Sequence, residues 1–82
     1  MNMDEIAKSI VEKYIRKRNN EHDKDSKIDI YIVWKCKTLQ NWKYLISTDI
    51  PDGRYYELTY NGDKKEWYFD VYKKMENVVV PL

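Results

Sequence analysis

Apolar residues near the start of the chain recur at three- and four-residue spacing: Met3, Ile6, Ala7, Ile10, Val11, Tyr14 and Ile15. Wound at 3.6 residues per turn they form one stripe, with Glu5, Lys8, Ser9, Glu12, Lys13 and Arg16 on the opposite side. Asn2 followed three residues later by Glu5 has the spacing of a capping box. Asp4–Lys8 and Glu12–Arg16 stand at i,i+4, where opposite charges support a helix by roughly 0.2–0.5 kcal/mol. The pattern predicts an amphipathic helix over residues 3–18. The next eight positions, Asn19 to Ser26, hold no apolar residue and read as a solvated loop.

From Ile28 the period changes to two. Ile28, Ile30, Ile32, Trp34 and Cys36 alternate with Asp29, Tyr31, Val33, Lys35 and Lys37. Three further runs alternate in the same way: Trp42, Tyr44, Ile46; Tyr56, Leu58, Tyr60; and Trp67, Phe69, Val71. β-branched and aromatic residues dominate all four, as strands prefer. Turn residues punctuate them at Thr38-Leu39-Gln40-Asn41, Pro51-Asp52-Gly53 and Asn61-Gly62-Asp63.

Because a one-residue slip turns a strand over, register is tested by keeping apolar rows together. Pairing Trp34 with Tyr44, Tyr44 with Leu58 and Leu58 with Trp67 gives a second row of Ile32, Ile46, Tyr56 and Phe69. A third row is then Cys36, Trp42, Tyr60 and Lys65. The expected architecture is one α+β domain over residues 1–82, an N-terminal amphipathic helix packed on a four-stranded antiparallel β-meander. Two segments stay open. Asp63-Lys64-Lys65-Glu66 is also a capping-box pattern, and Trp67, Tyr68, Val71, Tyr72 and Met75 then make a helical stripe, although the β-favouring composition prefers a strand. Val78-Val79-Val80 reads as a short edge pairing or as an ordered tail.

This register leaves a second sheet face in water. It carries Tyr31, Val33, Leu45, Tyr55, Tyr68 and Tyr72, interleaved with Lys35, Lys37, Lys43, Glu57, Glu66 and Asp70. Tyrosines at such positions lay ring area on a partner while their hydroxyls stay hydrogen-bonded. Cross-strand tyrosine pairs also stabilise a sheet with no partner at all. The six apolar and aromatic positions are the candidate protein interface, with a second copy of the chain or a foreign protein as partner.

Composition narrows the choice. The chain has 82 residues and a mass of 10.1 kDa, enough for one small core and little room for a deep, preorganised cleft. Aromatic residues make up 15% of it, an unusual share that the strand pattern places on both faces of the sheet. The net charge of +1 and pI near 7.8 supply no long-range attraction to nucleic acid or anionic membrane. One cysteine excludes an internal disulfide framework. Met1 to Asn20 has charges throughout and no apolar h-region, and no run approaches the ~20 apolar residues of a membrane span. The expectation is a cytoplasmic protein that does not bind membranes.

Candidate chemistry is sparse. His22, with Glu21, Asp23 and Asp25, offers ligands for a divalent ion, but Lys and Ile stand where an EF-hand-like loop needs a ligand and a glycine. Cys36 falls on the expected core face, so it reads as a small buried hydrophobe. The carboxylates Asp49, Asp52, Glu57, Glu66 and Asp70 include pairs, with Glu57 and Glu66 as neighbours across a hairpin, and nearby lysines suggest charge balancing. No phosphate-cradling glycine loop is present. The expectation is therefore no catalysis, no metal and no cofactor. The rival reading is a single-stranded nucleic-acid binder using Trp34, Lys35, Lys37, Trp42 and Lys43, since aromatic sheets edged with lysine stack bases.

The stretch from Trp34 to Asn77 resembles an uncharacterised family of small bacteriophage and prophage proteins of Gram-positive bacteria. The similarity lies in Cys36-Lys37-Thr38-Leu39-Gln40-Asn41, Ser47-Thr48-Asp49, Asp52-Gly53, Tyr55-Tyr56-Glu57, Thr59-Tyr60-Asn61-Gly62-Asp63-Lys64 and Tyr72-Lys73-Lys74. The resemblance assigns no activity and no site residues. It implies a phage origin, a location in the host cytoplasm, and a partner that is a host protein, including factors of host defence or regulation.

Overall fold

The computed structural model describes residues 2–18 and 27–82. The loop at 19–26, with the candidate ion ligands Glu21, His22, Asp23 and Asp25, lies outside them. Helix α1 spans Met3–Arg18. Asn2 caps it by accepting the Glu5 amide at 2.8 Å on its side chain. Arg16 binds Glu12 at 2.9 Å, the i,i+4 pair expected. Asp4 instead turns from Lys8 toward the sheet.

Four strands follow: β1 Ile30–Thr38, β2 Asn41–Thr48, β3 Arg54–Asn61 and β4 Glu66–Lys73. They pair antiparallel in the order β1-β2-β3-β4, a meander. Residues 66–73 are thus strand and not helix. Val78–Val80 pairs with no strand and is exposed.

The core lies between α1 and the inner sheet face. Ala7, Val11 and Ile15 of the helix meet Tyr44 and Ile46 of β2 and Tyr56 and Leu58 of β3, all buried. A Val, Ile or Leu side chain contributes about 1.5–3 kcal/mol when fully buried. Aromatic rings widen this layer: Tyr14 stands edge-on to Phe69 at 5.3 Å and to Tyr56 at 6.0 Å.

Register agrees with the sequence reading at the centre and departs from it on both sides. Ile32 opposes Ile46, Tyr44 opposes Leu58, and Ile46 opposes Tyr56. A β-bulge then intervenes between Ile32 and Trp34, so Trp34 opposes Leu45 and not Tyr44. The extra residue is Val33. From Trp34 onward β1 is turned over: Trp34 and Cys36 face outward, and Lys35 and Lys37 face the helix side. Cys36 is therefore exposed, not a core residue.

Lysines are tolerated on the inner side because each reaches a partner while its stem covers apolar surface. Lys35 binds Asp4 at 2.8 Å, and the Lys37 ammonium lies 5.6 Å from the Trp42 ring centre. On the other flank, β4 is shifted by two residues from the expected pairing. Leu58 opposes Phe69 and Tyr60 opposes Trp67, leaving Lys65 in the loop. A two-residue shift keeps every side chain on its expected face. It also matches apolar residues on the helix side, Tyr56 with Val71, Leu58 with Phe69 and Tyr60 with Trp67.

The Gly62–Lys65 loop explains the shift. Asn61 accepts the amides of Asp63 and Lys64 on its side chain, at 3.0 and 3.2 Å, and Lys65 closes the loop at φ 55°. The neighbouring β1–β2 turn packs tightly on it: Gly62 donates its amide to Asn41 at 2.9 Å. A Cβ on Gly62 would stand 2.2 Å from the Gln40 carbonyl oxygen.

Candidate functional site

The shortest dimension of the molecule is 16 Å, room for one helix layer on one sheet, since packed layers lie about 10 Å apart. Among the described residues no element covers the outer sheet face. Its side chains follow from strand parity. One row holds Trp34, Leu45, Glu57 and Asp70, each opposite the next across neighbouring strands. A second holds Cys36, Lys43, Thr59 and Tyr68. A third begins with Tyr31 opposite Ser47 and ends with Tyr55 opposite Tyr72.

Of the six candidate interface residues, five stand on this face: Tyr31, Leu45, Tyr55, Tyr68 and Tyr72. The four tyrosines are exposed and Leu45 is half-buried. Val33 is exposed but sits in the bulge itself. The structure adds Trp34, 46% exposed, which the uninterrupted period-two reading assigned to the core. The five residues of the nucleic-acid reading are split. Trp34 and Lys43 face outward, whereas Lys35, Lys37 and Trp42 belong to the helix side.

The bulge also changes the charge of this face. With Lys35 and Lys37 removed, the strands present three carboxylates there, on Glu57, Glu66 and Asp70, against the single ammonium of Lys43. Lys43 lies 3.4 Å from Glu57, and Tyr72 donates its hydroxyl to the other oxygen of Glu57 at 3.0 Å. That bond to a carboxylate raises the Tyr72 pKa above its ordinary value. The carboxylate opposite Glu57 is Asp70, not Glu66. The Asp70 carboxylate makes no hydrogen bond or ion pair among the described residues.

The most strongly perturbed groups lie elsewhere, under the first turn of α1. Tyr44 is fully buried and donates its hydroxyl to Asp4 at 2.7 Å, while Lys35 binds the other Asp4 oxygen at 2.8 Å. Burial, reinforced by Asp4, raises the Tyr44 pKa far above its ordinary value. Hydrogen bonds from Lys35 and Tyr44 hold the Asp4 carboxyl below its usual range. A phenol held neutral in this way supplies no phenolate base near neutral pH. The trio ties helix to sheet.

One recess of about 200 Å³ lies between the end of α1 and the β2–β3 connection, lined by Tyr14, Arg18, Ile50, Asp52, Arg54 and Tyr56 among others, and another of about 380 Å³ lies along α1 beside Ser9, Glu12, Lys13 and Arg16. The first is smaller than the 300–1,000 Å³ typical of small-molecule sites and the second falls at the low end of that range. Among the described residues no His, Cys, Asp and Glu side chains gather in a group of three able to hold a metal. No helix among them is long and apolar enough to cross a membrane.

Compared with known proteins, the chain matches one family model, over residues 4–82, whose description is "Family of unknown function (DUF6275)". No curated protein matches it, and no solved structure does.

Proposed function

The chain belongs to this family of unknown function, and from that premise we propose that it is a small non-catalytic binding protein that docks on another protein through its outer sheet face. The observation that carries this reading is the uncovered array of Tyr31, Trp34, Tyr55, Tyr68 and Tyr72, each more than a third exposed. Aromatic rings are enriched where proteins meet, because they bury large area with little loss of side-chain freedom. Isolated apolar residues on a surface call for no explanation, but five rings on one flat face do.

The chain exposes 6483 Å², whereas a compact monomer of this mass exposes roughly 5,300 Å². The extended 74–82 segment supplies part of the surplus. A standard interface covers about 800 Å² on each partner.

The resemblance to small phage and prophage proteins supports taking the partner to be a protein of the bacterial host, met in its cytoplasm, with defence and regulatory factors as the candidates. Single-stranded nucleic acid is disfavoured by the division of its expected contacts between two faces and by the carboxylates on the open one.

The test is recovery of partners from bacterial cells with tagged protein, comparing the natural chain with a Tyr55→Ser, Tyr68→Ser double variant that retains its circular dichroism spectrum. Loss of a specific partner in the variant supports the reading. Unchanged recovery, or no specific partner with either protein, rejects it.

A further inference from the structure

We propose that the outer face takes a basic segment of its protein partner, with an Arg or Lys side chain seated over Asp70 between the rings of Tyr68 and Tyr72. This rests on the docking reading above and adds the chemistry of the partner.

Three observations converge on it. The first is charge sorting. The Val33 bulge moves Lys35 and Lys37 to the helix side, so the open face carries an excess of carboxylates although the whole chain is close to neutral. The second is the Glu57–Asp70 pair. These residues oppose each other directly on β3 and β4, an arrangement that is unfavourable for like charges. Lys43 and Tyr72 occupy the two oxygens of Glu57, and nothing among the described residues serves Asp70. A cation supplied from outside removes that repulsion and completes the row.

The third is the setting. Tyr68 and Tyr72 flank Asp70 two positions away on the same strand and face, 41% and 51% exposed. Ring faces attract ammonium and guanidinium groups, and guanidinium also stacks on them. Farther along the row, Leu45 and Trp34 offer apolar surface for residues that flank the basic side chain. A second copy meeting this face squarely would set carboxylates against carboxylates, and a phosphate backbone would meet the same repulsion.

The probes are two synthetic peptides of twelve residues, one alternating Arg with Thr and the other alternating Glu with Thr, titrated into 15N-labelled protein. The expected result is saturable binding of the Arg peptide, with amide shifts centred on residues 55–57 and 68–72 and weakening as salt is raised. The Glu peptide does not bind. Asp70→Lys lowers the affinity for the Arg peptide by about tenfold or more, a loss of about 1.4 kcal/mol, and Asp70→Asn gives an intermediate loss, both in folded protein.

Equal binding of the two peptides, no binding of the Arg peptide, shifts on the helix side, or insensitivity to Asp70→Lys overturns the inference. So does tighter binding of an oligothymidylate at the same residues. The partner recovered from cells separates the two levels. Retention by Asp70→Lys but loss by the tyrosine double variant overturns the basic partner and leaves the docking face standing. Retention by both overturns the two together.

Discussion

Tyr44 and Asp4, forty positions apart in the chain, are joined by a 2.7 Å hydrogen bond from the phenol to the carboxylate. The bond fixes the first turn of α1 against β2 at a point where the phenol has no access to water. Tyr44→Phe removes the donor and leaves Asp4 its bond to Lys35, so a loss of about 0.5–1.5 kcal/mol is expected in urea denaturation. Asp4→Asn is expected to cost more, because it also strands the Lys35 partnership.

The same contact predicts a pH profile. Asp4 has a lowered pKa in the folded chain, so its stabilisation is complete above the ordinary carboxylate value of about 3.9 and fades as pH falls below it. Tyr44 and Tyr56 have raised values. Their stabilisation is complete below the ordinary phenol value of about 10 and is lost as pH rises through the folded values. Stability followed from pH 2 to 12 should show an acid limb that Asp4→Asn flattens and an alkaline limb that Tyr44→Phe reduces.

Gly62→Ala should be among the most damaging single changes outside the core. Its Cβ would stand 2.2 Å from backbone oxygen, which has no side-chain freedom with which to yield. Either the β1–β2 turn or the β3–β4 loop must move, at an expected cost of about 2 kcal/mol or more. Gly53→Ala is a useful contrast. A Cβ there would meet only Lys74 Cβ, at an ordinary 3.8 Å, but φ is +69°, so a cost of about 1–2 kcal/mol is expected. Thermal melts of the two variants check the order.

Asp70→Asn should make the isolated protein slightly more stable, by roughly 0.2–1 kcal/mol, by removing the repulsion from Glu57. The gain should shrink as salt is added. A loss of stability measured at low salt would contradict the absence of any stabilising partner for Asp70.

Cys36 should react with a thiol reagent in the folded protein, at a rate close to that of an exposed cysteine in a denatured control. Its side chain lies on the outer face, with only a long 3.9 Å contact to Thr38. Protection by orders of magnitude would mean that β1 runs without its bulge.

Much of this architecture was legible from spacing alone. The Met3–Arg18 helix and the four strands in meander order follow from periods of 3.6 and two. The pairing of β2 with β3 follows from apolar rows. What spacing did not disclose was the pair of local choices on the flanks. Ile30, Ile32, Trp34 and Cys36 alternate so cleanly that an unbroken strand is the natural reading. The bulge wins because Lys35 and Lys37 gain Asp4 and the Trp42 ring, contacts between residues far apart in sequence. The two-residue shift of β4 depends on how the Gly62–Lys65 loop closes, which the side-chain period cannot report. The open face was therefore legible in its tyrosines, where parity survived, and illegible in Trp34 and in its charge.

The single surplus residue at Val33 has a wider consequence. Everything beyond it on that strand is bound to one choice of side, so its rings, thiol and lysines must be exchanged as a set and never one at a time. Deleting that residue would hand two cations to the exposed surface and take an indole from it. Relatives of this chain that lack the insertion would present three ammonium groups against three carboxylates there, and would be expected to lose the preference for basic partners.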